Sequence, residues 1–98
     1  MTAYSVVLAP QAEDDVREAY FWYRERSASA AESFRTEVFA AIDVIARAPL
    51  VRGPDESGNR KRMLKRYPYF IFYDVLDEVV TVLAVAHHRR RPGYWQAE

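Results

Sequence analysis

The residues of this 98-residue chain best equipped for chemistry are His87 and His88, followed at once by Arg89, Arg90 and Arg91. Histidine titrates near neutral pH and can give or take a proton. Arginine carries a fixed charge in a planar fork that matches phosphate oxygens. Together these are the tools of metal-independent RNA cleavage. There the substrate's own 2′-OH attacks, a base takes its proton, and cations hold the charge that develops at phosphorus. His87 or His88 would move the proton, and Arg62 and Arg89 would hold the charge. The plainer alternative is that one histidine packs at a strand end and the arginines are solvated. Neighbours on a strand point to opposite faces, so no more than one imidazole is expected in a common site. The same divergence argues against zinc, because no cysteine and no third histidine exist to complete a tetrahedron. The chain has no glycine-rich phosphate loop and no G-x-S-x-G turn, and no cofactor is expected.

A second basic group lies upstream in Arg60, Lys61, Arg62, Lys65 and Arg66. Strand alternation would put Arg60, Arg62 and Arg66 on one face, able to clamp an anionic target with bidentate bonds. An edge strand guarded by charge, or an ion-pair surface for an acidic partner, would need the same residues. The charge split suits an anionic partner for the second half, and equally two complementary surfaces that only keep the chain soluble. Residues 1–59 hold 6 Lys/Arg against 10 Asp/Glu, and residues 60–98 hold 8 against 4.

The elements that must position these groups follow from periodicity. Tyr4 to Leu8 alternates as a short strand. Pro10 and the acids Glu13, Asp14 and Asp15 mark a helix start, because proline suits the first turn and carboxylates suit the positive end of the dipole. Ala12, Val16, Ala19, Tyr20 and Tyr23 form the apolar stripe of a helix reaching about Glu25. Ser29 with Glu32 has capping-box spacing for a second helix, with Phe34, Val38, Ala41, Ile42 and Ile45 as its stripe and Pro49 as its end. Pro54 to Asn59 reads as a loop. Three strands follow at Arg62–Arg66, Tyr69–Val75 and Val79–Ala86, with Asp77-Glu78 as the last hairpin tip. The expected fold is a single α+β domain over residues 1–98, ordered β-α-α-β-β-β, with a helical hairpin on a four-stranded antiparallel sheet.

The last two strands are apolar on both alternations, so something should cover the face away from the helices. The C-terminal tail, a second copy and a partner are the alternatives. Phe21 and Trp22 fall off the first helical stripe, and Phe39 falls off the second. Off-stripe aromatics suit partner contacts, although a wide stripe in a small domain would serve the core instead.

Half of the residues are apolar, enough for a core at this length. With no cysteine, disulfides are excluded and a reducing cytoplasm is the expected compartment. No apolar run reaches the ~20 residues needed to span a bilayer. Met1 to Pro10 lacks the basic and apolar regions of a secretory leader.

Read together, several stretches resemble the RelE/ParE toxin superfamily. They are the opening strand with Ala9-Pro10, the helix ending Tyr20-Phe21-Trp22-Tyr23, the Arg62-Met63-Leu64 strand running into Tyr67-Pro68-Tyr69-Phe70-Ile71-Phe72-Tyr73, and the closing Val85-Ala86-His87-His88-Arg89-Arg90. The resemblance covers nearly the whole chain and leans to ParE through the long aromatic hairpin. It implies the toxin of a type II toxin–antitoxin module of the plasmid-stabilisation (addiction) kind, which arrests growth and is neutralised by a cognate antitoxin. Assembly as a homodimer, or as a heterotetramer with the antitoxin, is the implied oligomer. ParE-like members poison DNA gyrase, and Arg60, Arg62, Arg66, Arg89 and Arg90 would then face the target. RelE-like members are endoribonucleases that cut messenger RNA in the ribosome, and His87, His88, Arg62, Arg89 and Tyr94 would then be the catalytic candidates. Trp22, Phe21, Phe39, Tyr69, Ile71 and Tyr73 are the expected antitoxin contacts.

Overall fold

The computed structural model describes residues 4–89. Strand β1 covers Ser5–Leu8, and Ala9 stays extended as the cap before helix α1, Pro10–Arg24. Pro10 sits at the helix start, where its missing N–H would have no intrahelical partner anyway. Helix α2 is Ala28–Arg47. Its cap is Ser27, not Ser29: the Ser27 hydroxyl accepts the Ala30 N–H at 3.2 Å. Ser29 lies inside the first turn and shares a hydroxyl contact with Ser27. Strands β2 (Arg60–Met63), β3 (Tyr69–Leu76) and β4 (Val79–His87) complete the order expected. Asp77 turns the last hairpin at φ 56°, a conformation that short polar side chains tolerate.

The sheet is ordered β1-β4-β3-β2. It is mixed rather than antiparallel, because β1 runs parallel to β4 while β4–β3 and β3–β2 are antiparallel. The cause is that α1 does not reverse the chain after β1. The Ala9 N–H bonds the Val82 carbonyl, Asp15 reaches the Val85 amide, and Tyr23 packs near Tyr69, the partner of His87. Helix α1 therefore advances along β4 in that strand's own direction. The turn between the helices gives the first reversal, so β4 is reached after an even number of reversals.

Core side chains lie between the helices and one sheet face. Phe34, Val38, Ile71, Val80 and Val82 are wholly buried there, with Tyr73 and Val85 nearly so. Register sets the faces: Ile71 opposes Val85, Tyr73 opposes Val82, and Val75 opposes Val80. Between the first two pairs, Leu83 has no partner, which makes it the extra residue of a β-bulge. The bulge shifts the alternation of β4 by one, so Val85 and His87 share the helix-facing side with Val80 and Val82. The opposite face carries Phe70, Phe72 and Asp74 from β3, with Lys61 and Met63 from β2.

Candidate functional site

The helical hairpin leaves a cleft along each flank. The α1 cleft has a volume of about 370 Å³ and is lined by Asp15, Glu18, Trp22, Tyr23, Tyr69 and His87, with Ala19 beneath. Asp15 is only 6% exposed. One carboxylate oxygen accepts the Gln11 amide at 2.8 Å and the other the Val85 N–H at 2.9 Å. Strand β1 ends opposite Val82, so β4 has no strand neighbour on that side at Val85, and the aspartate takes the amide instead. The hydroxyls of Tyr69 and Tyr23 are hydrogen-bonded. Burial, then Tyr23, then the Asp15 charge push the Tyr69 phenol up to about 12.

His87 and His88 do not diverge as strand neighbours should. Strand β4 ends at His87, and His88 turns back, its N–H donated to the Pro68 carbonyl at 2.8 Å. The two imidazoles stack with ring centroids 4.6 Å apart. His87 Nδ1 accepts the Arg89 N–H at 3.2 Å, which leaves the ring proton of the neutral form on Nε2. Its pKa is lowered by burial first, then by His88 and Arg89. Tyr69 meets the His87 ring edge-on at 5.3 Å.

The basic strand is rearranged relative to the expected clamp. Strand β2 stops at Met63, and Arg66 lies beyond it with its N–H held by the Glu37 carboxylate. It therefore leaves the row of Arg60 and Arg62, because buried Leu64 and the turn at Pro68 end the alternation. Arg52 joins that row instead: the Arg60 Nε–H donates to the Arg52 carbonyl at 2.7 Å. The charges of Arg52, Arg60 and Arg62 all act on the buried Tyr73 hydroxyl, whose pKa burial nonetheless raises. Arg52 was hidden in sequence because it precedes the loop and joins the cluster only through the fold. Arg62 also lines the second cleft, about 510 Å³, between β2 and α2, with Glu32, Thr36, Val44, Met63 and Lys65.

The expected antitoxin contacts divide. Phe21 (52% exposed), Trp22 (51%) and Phe39 (42%) are open to solvent. Ile71 and Tyr73 are not available to a partner, since they face the helices and are 0% and 1% exposed. Tyr69 is half-buried on the same side, packed on Phe34 and Tyr23. The β3 aromatics on the opposite face are Phe70 and Phe72, both half-buried. The sequence held a signal for this, because Asp74 and Thr81 pair on the Phe70/Phe72 side. Arg90 and Tyr94 lie outside the described residues. Among the described residues no group of three metal-ligating side chains assembles, and no helix is long and apolar enough to cross a membrane.

The same architecture occurs in solved bacterial toxins. The chain superimposes on a structure of the chromosomal ParDE TA system from P. aeruginosa with a TM-score of 0.77 at 17% identity, covering 87% of this chain and 96% of that one. It also matches a structure of a mutant E. coli toxin RelE in the free state, with a TM-score of 0.61 at 17% identity and coverage of 90% and 86%. The fold is therefore that of the RelE/ParE toxins. At sequence level, Toxin ParE2 of Mycobacterium tuberculosis, in strains CDC 1551 and H37Rv, is 29% identical over 87 residues, 88% of this chain and 83% of the relative. The family model described as ParE toxin of type II toxin-antitoxin system, parDE, matches residues 6–92, and the chain belongs to that family.

Proposed function

We propose that this toxin arrests growth in the cytoplasm by binding and poisoning DNA gyrase, and that a cognate antitoxin neutralises it by covering the exposed hairpin aromatics Phe21, Trp22 and Phe39. The observation that carries the gyrase reading is the separation of the chemically capable residues. His87 lines the α1 cleft, whereas Arg62 lines the cleft beside α2. Strand β3 runs between their strands, which puts about 10 Å between β2 and β4. A base and a cation serving one phosphate would have to lie around a single reacting centre. Arginines arrayed on an edge strand suit contact with a large target. On this reading Arg52, Arg60 and Arg62 meet gyrase, with Arg89 just beyond the end of β4.

The alternative, an endoribonuclease, draws on the stacked His87–His88 pair beside Arg89. Purified toxin separates the two. Gyrase supercoiling should fall and cleaved DNA complexes accumulate, while messenger RNA stays intact with or without ribosomes. Replacing the half-buried Arg60 and Arg62 by alanine should abolish the gyrase effect while circular dichroism shows the chain still folded. Ribosome-dependent cleavage lost in His87→Ala would reverse the assignment.

A further inference from the structure

We propose that the α1 cleft is a receptor for one cationic side chain, the guanidinium or ammonium of an arginine or lysine carried by the antitoxin. This rests on the reading that the antitoxin covers the hairpin aromatics. The walls of the cleft are rings packed edge to face. Trp22 and Tyr23 lie 5.0 Å apart at 86°, and Tyr69 and His87 lie 5.3 Å apart at 80°. A cation that reaches an open face among these rings is drawn to its negative quadrupole. Trp22 already shows this attraction, since the Arg26 guanidinium lies 3.7 Å from its ring centroid.

The carboxylates complete the recognition. Glu18 stands exposed at the cleft, and none of the ion pairs among the described residues involves it. Asp15 adds its charge from the floor, where it already acts on Tyr69. His87 is held towards its neutral form, so it does not oppose a cation. An anionic ligand would meet two carboxylates at this place, and a purely apolar side chain would strip water from them without repayment. A volume of about 370 Å³ is at the lower end for small-molecule sites and admits a long side chain.

Charge distribution selects the source. The first 59 residues carry 10 acids against 6 bases, so a segment laid over the hairpin gains by being basic where it touches. A partner of the arginine-bearing β2 edge would gain by being acidic.

The test begins with the isotope-labelled toxin and two probes, N-acetyl-arginine methylamide and its neutral citrulline counterpart. The arginine probe should shift the Trp22 indole, Glu18 and His87 resonances saturably, and the citrulline probe should not. Trp22→Ala and Glu18→Gln, both at exposed positions, should each weaken the response about tenfold. Equal response to both probes, or a response unchanged in Trp22→Ala, would overturn the site. A double-mutant cycle then pairs Glu18→Gln with each antitoxin lysine and arginine changed to glutamine. One cation should show coupling of about fivefold or more in Kd. Coupling absent there, or found with gyrase instead, would overturn the antitoxin as the source. Neither readout depends on gyrase inhibition, so the poisoning proposal can fail while this one stands.

Discussion

The two flanks of the helical hairpin are fastened to the sheet by the same device and put to different chemical use. On each side a helical carboxylate takes backbone amides that the sheet leaves unpaired. Asp15 takes Val85 beyond the end of β1, and Glu37 takes Lys65 and Arg66 beyond the end of β2. The α1 clamp is buried and its cleft is walled by interlocked rings. The α2 clamp is exposed and its cleft has a rim of Arg62, Lys65 and Arg66. Where the backbone lacks a strand partner, a side chain from the covering layer must supply one. The surroundings of that side chain then decide whether the place serves stability or recognition.

If burial is what distinguishes the clamps, their removal should differ in size. Asp15→Ala strands the Val85 amide away from water and releases the half-buried Gln11 side chain. It should cost about 2–3 kcal/mol in urea unfolding, the penalty of orphaned buried groups. Glu37→Ala exposes its amides to solvent, which can replace the carboxylate, and should cost only about 1 kcal/mol. Equal losses would show that burial is not the difference. The smallest effect sharpens the picture through pH. The His87 pKa is depressed, so the folded chain binds its proton less readily than the unfolded chain does. Its contribution to stability is complete above the unfolded value near 6.5 and is lost as pH falls through the folded value. In an NMR titration His87 should have its midpoint below 6.5, and Arg89→Ala should raise it. A midpoint at or above 6.5 would mean that the ring is not held in the cleft wall.

Sequence carried the element order because each element is a local pattern. The Ala12–Val16–Ala19–Tyr23 stripe and the apolar runs of β3 and β4 need no knowledge of the rest of the chain. The direction of β1 was not legible in that way. It depends on whether α1 turns back after Pro10, which only the contact between Ala9 and Val82 decides. The cap of α2 was placed at Ser29 by its spacing to Glu32, whereas the helix starts at Ala28 and Ser27 takes the Ala30 N–H. At the site, Arg60 and Arg62 were placed together by simple alternation, while Arg52 arrived through tertiary folding. The stacking of His87 on His88 escaped alternation because β4 stops between them.

The unpaired Leu83 makes the identity of the α1 cleft a matter of parity. Every β4 residue after it presents the side it does because one residue was added to the count. Losing that single codon would preserve composition, charge and apolar content almost unchanged. It would remove the bulge yet keep Val85 and His87 in step with Val80 and Val82, because the residue lost is the extra one. Substitutions along β4 adjust the cleft by degrees, while a pairing that took Leu83 into regular alternation would put Ala84 and Ala86 in step with Val80 and Val82 and exchange one molecular surface for another.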